Sequence, residues 1–392
     1  MSYRRVSGSI GRLGLSVLIA LSLVSAPRLL GQGKGGGPEK GGGDETGAYE
    51  VVPGWPKPLP DHEGWASAPV TATFAESPDR VFFIQRGELK LPEGRRGNSP
   101  IFATPGRSAT SAVSEARREH YVLVANRNGD IVETWTQWDT LWDGSRGPHH
   151  IKINPYDPEK HVWIIDDDLQ QILKFTNDGK QLVMTIGERL VRGNDSSHFG
   201  RPTDIAWLPD GTFFITDGYL NQRVLKFDKD GKFLMTWGTE GSGPGEFRSA
   251  VHAVAIDNER RLYIADRGNS RIQVFDENGR FLDQWPNIRD PWHVHVATDQ
   301  SIWVSDGQTN KFLKFDTSGR LLYSWGTFGQ FPGAMWGVHQ FSVDSEGNLY
   351  TAEAFNGRIQ KFRPKPGADP SKVIPPERPL PLRAAAQQGA RR

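Results

Sequence analysis

The chain repeats one pattern of four short β-prone runs. The clearest copy spans 252–285 and reads HAVAID, RLYIAD, RIQVF and RFLDQW, with alternating apolar residues and a turn at ENG. Similar copies occupy 149–186, 203–237 and 292–325, and a shortened copy occupies 339–363. One such unit has two apolar faces, so it needs a neighbour on each side. Four-stranded repeats of about 40–50 residues predict a β-propeller, an all-β fold.

A sixth, diverged unit is predicted at about 66–138, which makes the propeller six-bladed. An insertion at 88–118, rich in Gly, Pro, Ser and Arg, interrupts this unit and reads as a long surface loop. The last copy lacks an outer strand, and the β-prone residues 49–52 can supply it. We therefore predict a propeller over 49–363, closed by the pairing of 49–52 with the last unit.

The flanking segments have the composition of non-globular sequence. Residues 1–31 begin with a basic start and an apolar run at 13–24, which predicts a signal peptide and a secreted or periplasmic protein; an uncleaved anchor is the alternative. Residues 32–48 read as a Gly-rich linker, and the Pro-rich residues 364–392 read as a disordered tail. We expect no membrane span in the mature chain, and a monomer.

The overall composition excludes several classes of function. The net charge is +1, without a basic stripe, which argues against a nucleic-acid partner. The 392 residues contain no cysteine, which excludes disulfides, thiolate metal sites and a cysteine nucleophile.

Three histidines occupy equivalent positions on alternate repeats. The residue before each inner-strand alternation is, from the first unit to the sixth, Ala68, His149, Thr203, His252, Trp292 and His339. Alternate blades of a six-fold ring are about 120° apart, so the three imidazoles converge on the axis. Three neutral histidines with an open fourth position suit catalytic Zn²⁺. Packing histidines are the alternative, and His150 could replace His149.

Three further candidates follow the second strands, whose ends open onto one face of the ring. They are Arg86, Tyr219 and Arg267. Two arginines beside a metal suit a substrate with a carboxylate, and a tyrosine there can act as an acid or base. Each could equally be an ordinary rim residue. The acids that end these strands are repeat features, for which we expect structural hydrogen bonds; they are Asp166, Asp217, Asp266, Asp306 and Glu353.

The repeat resembles the NHL type of propeller unit. Specific stretches are similar to the peptidyl-α-hydroxyglycine α-amidating lyases: HFGRPTDIAW at 198–207, ITDGYLNQRVLKF at 215–227, VHAVAID at 251–257 and IADRGNSRIQVF at 264–275. The resemblance implies a zinc ion on His149, His252 and His339. It also implies that Tyr219 is the acid–base residue and that Arg86 and Arg267 hold the substrate's carboxylate.

The resemblance further implies a structural calcium ion on the backbone carbonyls of Val70 and Ile151. The family's carboxylate ligand beside the third zinc histidine maps to Gln340, and a methionine of the family maps to Gly337. A carboxamide is a weaker calcium ligand than a carboxylate.

Three functions are compatible with these residues. The first is an exported zinc lyase that cleaves the N–C bond of a peptidyl-α-hydroxyglycine-like carbinolamide to an amide and glyoxylate. The second is a non-catalytic NHL scaffold, and the third is a metal-dependent hydrolase, such as a lactonase, that uses the same histidines. The retained Tyr219, Arg86 and Arg267 favour the lyase.

Overall fold

A computed structural model describes residues 46–60, 62, 65–67, 69–90 and 115–377. The predicted signal peptide at 1–31 and most of the predicted linker lie outside these ranges. Twenty of the strands are arranged as five blades whose four strands follow one another outward from the axis. In the first blade, residues 86–121 separate the second strand from the third. Among the described residues, no helix is long and apolar enough to cross a bilayer.

The six blades carry the following strands. Blade one has β3 (Val70–Ser77), β4 (Arg80–Gln85), β7 (Val122–Ala125) and β8 (Ile131–Thr134). Blade two has β9 (His150–Ile153), β10 (Val162–Asp166), β11 (Gln171–Phe175) and β12 (Leu182–Ile186). Blade three has β13 (Pro202–Trp207), β14 (Phe213–Asp217), β15 (Arg223–Phe227) and β16 (Phe233–Trp237). Blade four has β17 (Val251–Ile256), β18 (Leu262–Asp266), β19 (Arg271–Phe275) and β20 (Phe281–Trp285). Blade five has β21 (Pro291–Val296), β22 (Ile302–Asp306), β23 (Lys311–Phe315) and β24 (Leu321–Trp325). Blade six has β25 (Val338–Val343), β26 (Leu349–Glu353), β27 (Arg358–Pro364) and, as its outer strand, β1 (Tyr49–Val51). The six-bladed all-β prediction is confirmed.

The ring closes as predicted, with the first strand completing the last blade. Strand β1 pairs antiparallel with β27, and Glu50 lies opposite Arg363. The two side chains form an ion pair at 2.5 Å. The N- and C-terminal parts of the propeller therefore share one sheet, which leaves no open edge between the last blade and the first.

Aromatic rings fill the space between blades. The closing Trp285 of blade four stacks on Phe315 of blade five, with ring centroids 5.7 Å apart. Gly319, in the turn before the last strand of blade five, has φ +82, and a Cβ there would lie 2.3 Å from the Trp285 ring. Glycine at this turn is therefore required both by the backbone conformation and by the ring beneath it.

Two expected irregular segments contain regular or packed structure. The ends of the insertion form strands β5 (Glu88–Lys90) and β6 (Glu115–Arg117). With β2 (Trp65–Ser67) they make a separate small sheet in which β5 lies between β2 and β6. The prediction of a surface loop over all of 88–118 is therefore wrong at both ends, and 91–114 lie outside the described residues.

Residues 364–377 are also packed, so the predicted disordered tail is wrong for this segment. After β27, a 3₁₀ turn forms at Pro370–Lys372, and Ile374 is fully buried. The backbone N–H of Ile374 donates to the Tyr49 hydroxyl at 2.8 Å. Burial of this one apolar side chain, and of a tyrosine hydroxyl that needs a partner, holds the segment against blade six. Residues 378–392 lie outside the described ranges.

Candidate metal centre

An irregularity in the inner strands positions the site residues. The register between first and second strands shifts at the same place in blades one, three, four, five and six. In blade two, His149 donates its N–H to Ile165 O while His150 pairs with the same residue. Such a bulge redirects one side chain toward the axis. The equivalent residue in blade one is Thr71, so the expectation of Ala68, which lies outside the described residues, is wrong.

The structure brings the three predicted histidines together on the axis. His149, His252 and His339 have ring centroids 4.6–5.1 Å apart. Each offers a nitrogen, and these nitrogens lie within 4.8 Å of one another. All three side chains are buried. We call this group the tripod.

Each tripod histidine is fixed by the neighbouring blade. The Nδ1–H of His149 donates to Thr203 O at 2.9 Å, that of His252 to Trp292 O at 2.5 Å, and that of His339 to Thr71 O at 2.7 Å. These acceptors are the bulge residues of the intervening blades. With Nδ1 engaged as a donor, Nε2 carries the free lone pair, the usual arrangement of a metal-binding imidazole.

Burial also favours the ligand form of these rings. It lowers the pKa of all three tripod histidines well below the usual value, and the other imidazoles act in the same direction on His149 and His339. Arg267 adds to this effect at His252. The rings are therefore neutral near pH 7, and the residues fit a divalent cation with an open coordination position.

Tyr219 reaches the tripod from the end of β14. Its hydroxyl lies 3.0 Å from Nε2 of His252 and 3.2 Å from Nε2 of His149. The preceding Gly218 allows this approach, because a Cβ there would lie 2.0 Å from Val251 O. Burial raises the pKa of Tyr219, while the positive charges of Arg267 and Arg86 act in the opposite direction.

The two predicted arginines line the same cavity as Tyr219, which has a volume of about 360 Å³. The guanidinium of Arg86 pairs with the buried Asp167 at 3.0 Å. That of Arg267 pairs with Asp290 at 2.7 Å and lies over the Trp292 ring. Both cations are thus held in place while facing the space beside the tripod.

Sequence reasoning missed three members of this cavity: Arg146, Asp167 and Arg201. Asp167 is fully buried and pairs with Arg146 and Arg201 as well as Arg86. The Arg201 guanidinium also lies 4.3 Å from the centroid of the Tyr219 ring. One signal was present in the sequence, a run of three aspartates at 166–168 directly after a strand. Its partners come from other loops, which no local pattern connects to it.

The strand-end acids have the structural role that was expected. All five are buried. Asp217 accepts hydrogen bonds from Asn221 and Arg223, and Asp266 accepts from Asn269 and Arg271 in the next blade. They brace the loops that follow the second strands, and therefore the segment that carries Tyr219.

The residues implied for calcium do not fit that ion. The Gln340 side-chain amide donates to Ile151 O at 2.9 Å, and Ile151 N–H lies 3.4 Å from Gln340 Oε1. The carbonyl that would bind calcium thus accepts an amide hydrogen, and a carboxamide brings no negative charge. Val70 is buried in β3.

Comparisons with known proteins agree with this architecture. A family model described as a 6-bladed beta-propeller matches residues 191–284. A Xenopus laevis protein named peptidyl-glycine alpha-amidating monooxygenase B is 36% identical over 143 residues, which are 35% of this chain and 16% of that protein. A probable peptidyl-alpha-hydroxyglycine alpha-amidating lyase of Caenorhabditis elegans is 35% identical over 130 residues, 33% of this chain and 36% of that one. Human NHL repeat-containing protein 3 is 32% identical over 176 residues, 42% of this chain and 48% of that one.

The chain is a six-bladed β-propeller similar to amidating lyases and NHL-repeat proteins. The resemblance seen in the sequence is confirmed, and the relatives support a lyase-type role. The matches span less than half the length of each of these relatives, so their whole activities do not transfer to this chain.

Proposed function

We propose that this chain is an exported zinc-dependent carbon–nitrogen lyase. Its substrate is a small molecule or peptide that ends in an α-hydroxyglycine-like carbinolamide with a free carboxylate. One observation carries the proposal: the Tyr219 hydroxyl lies within 3.2 Å of two tripod Nε2 atoms, in a cavity that arginines line. Similarity to proteins named as amidating lyases supports the same reaction.

The tripod supplies the three ligands that zinc prefers in catalytic sites, with a fourth position open toward the cavity. Bound zinc would act as a Lewis acid toward the substrate's hydroxyl group. The blade-to-blade hydrogen bonds to Nδ1 hold the three rings at the required orientation before any ligand arrives.

Tyr219 is the residue placed to move the proton. As a phenolate it accepts the hydroxyl proton of the carbinolamide while the C–N bond breaks. The carbon becomes the aldehyde of glyoxylate, and the nitrogen leaves with the bonding pair and takes the proton back from Tyr219 as a primary amide. Burial raises the pKa of Tyr219, and Arg267 and Arg86 offset part of that rise. A dication held by the tripod would lower this pKa further and favour the phenolate.

Arg86 and Arg267 bind the α-carboxylate. Each guanidinium is already held by an aspartate, so little conformational entropy is lost when the substrate binds. A carboxylate between them places the adjacent carbon beside Tyr219 and the tripod.

The test is turnover of α-hydroxyhippurate by the metal-loaded full chain, with glyoxylate and benzamide measured together. We expect equal amounts of both products. Tyr219→Phe should lower kcat by at least about 100-fold at unchanged metal content, the scale of losing acid–base catalysis. The matched control is Tyr156→Phe, which lies at the opposite mouth of the channel and should leave turnover unchanged.

Two results would contradict the proposal. A metal-loaded chain that releases no glyoxylate from any carbinolamide would favour the hydrolase. A chain that binds no metal at the tripod would leave the scaffold function.

A further inference from the structure

A second group of polar side chains lies on the axis beside the tripod. It consists of His150, Asp204 and His293, here named the axial triad, whose possible ligand atoms lie within 4.8 Å of one another. The His150 ring is 4.7 Å from that of His149 and 5.6 Å from that of His293, between centroids. The triad comes from blades two, three and five, at inner-strand positions directly after the bulge residues.

The triad leaves polar atoms without hydrogen bonds in the interior. His150 Nε2 and His293 Nδ1 have no hydrogen-bond partner. His150 Nδ1 and Asp204 Oδ1 are 3.1 Å apart and form a buried polar pair. The three residues are at most 3% exposed. Leaving buried polar atoms without hydrogen bonds is unfavourable, so this group points to a missing ligand.

The other atoms of Asp204 are well supported. Its Oδ2 accepts from Lys152 Nζ at 2.7 Å and from the backbone N–H of Val254 at 3.0 Å. The carboxylate is thereby fixed with Oδ1 directed at the two imidazoles. Carboxylates that bind metals through one oxygen are commonly held through the other in this way.

The donor set determines the kind of ligand. Two imidazoles and one carboxylate oxygen suit a first-row transition-metal dication such as Zn²⁺ or Fe²⁺, whereas Ca²⁺ and Mg²⁺ prefer oxygen ligands. The Lys152 ammonium also contacts Ile205 O at 3.1 Å, which offsets part of its charge. Because the remaining positive charge opposes a cation, the triad should bind metal more weakly than the tripod.

The channel mouth opposite the arginines reaches one member of the triad, His293. A cavity of about 130 Å³ there is lined by Lys152, His293 and His295, among apolar residues of the inner strands. We propose that the axial triad binds a second transition-metal dication, which ties blades two, three and five together and is distinct from the tripod ion.

The test is metal content per chain after saturation with Zn²⁺ and exchange into metal-free buffer. We expect two ions in the natural chain, one in His293→Gln and one in His252→Gln, which disables the tripod. The matched control His295→Gln, on the same strand as His293, should keep two. A chelator should remove the triad ion first.

Cobalt substitution keeps the test valid if a variant folds poorly. In folded His252→Gln, Co²⁺ should give visible absorption from the triad alone, and adding His293→Gln should abolish it. One ion in the natural chain, or the same metal content in His293→Gln as in the natural chain, would overturn the proposal. Because His252→Gln reports on the tripod separately, failure of the triad leaves the proposed lyase untouched.

Discussion

The two mouths of the channel are built from the same inner strands but hold opposite kinds of side chain. At one mouth, Arg86, Arg146, Arg201 and Arg267 surround the tripod. At the other, the later residues of the inner strands form a largely apolar wall that includes Phe341 and Val294. The strand direction explains the difference. Second strands end at the first mouth, where loops add charged residues, whereas the second mouth is lined by the inner strands themselves.

The two groups on the axis differ in a corresponding way. Every tripod imidazole has its Nδ1 tied to a backbone carbonyl, so the free Nε2 atoms are oriented without metal. In the axial triad, His150 Nδ1 lies against another triad member, Asp204, and Nε2 has no hydrogen-bond partner. The tripod is therefore preorganised for exchangeable ligands, whereas the triad becomes satisfied only when it is filled. A structural ion at the triad and a catalytic ion at the tripod follow from this contrast.

The largest expected effect separates the two groups by activity. His252→Gln should lower kcat/KM for α-hydroxyhippurate by about 1,000-fold or more, because a tripod with two histidines loses the electrostatic stabilisation of the transition state. His293→Gln should lower the same kcat/KM by less than about tenfold, since it removes a ligand of the supporting ion and not of the catalytic one. Steady-state kinetics on folded, metal-loaded variants check this. Equal losses in the two variants would show that the groups act as one site.

The next effect tests the cationic mouth. Arg267→Met should raise KM and lower kcat/KM by about 10- to 100-fold, because one charge-assisted contact to the substrate carboxylate is lost. Arg289→Met provides the control, since Arg289 is exposed and three residues from Trp292. A substrate amide without the carboxylate should be less sensitive to Arg267→Met, because only the effect of Arg267 on the Tyr219 pKa is then lost. If that amide were affected equally, Arg267 would not act through the carboxylate.

Sequence reasoning reached the tripod because a strand alternates with a period of two residues and the repeats share one register. His149, His252 and His339 could thus be assigned to the axis before any coordinates. The bulge in each inner strand has no sequence signature, which is why Ala68 was chosen instead of Thr71. The clustering of Asp167 with Arg146 and Arg201 depends on how loops of adjacent blades meet, and a linear pattern does not encode it.

The triad shows the same limit in another form. The repeat alignment treats His150 only as a substitute for His149 and assigns no role to His293, because each residue is compared with its own repeat. Their proximity to Asp204 arises from three blades that contribute one residue each. Pairing across the axis therefore needs the angles between blades, which the repeat length does not supply.

The smallest expected effect concerns the apolar mouth and its dependence on pH. Burial lowers the pKa of His295 to about 4, with a further contribution from Lys152, while Asp299 acts in the opposite direction and Glu377 lies 3.6 Å away. In the unfolded chain, His295 takes up a proton as the pH falls below its ordinary pKa of 6.5. In the folded chain it does so only when the pH falls to about 4. Stability is therefore lost as the pH falls between these values, by about 2 kcal/mol near pH 5.

Urea unfolding of metal-free protein at about pH 7.5 and about pH 5 measures this loss. His295→Phe should lose about 2 kcal/mol less than the natural chain over that interval, because its side chain takes up no proton when it is exposed. The other buried histidines contribute equally to both proteins and cancel. His198→Gln, at a partly exposed position with a raised pKa, should show no such gain. The stability of His295→Phe and of the natural chain could instead depend on pH in the same way. His295 would then take up its proton in the folded ring as readily as in the unfolded chain. The second mouth would be more hydrated than its apolar wall implies.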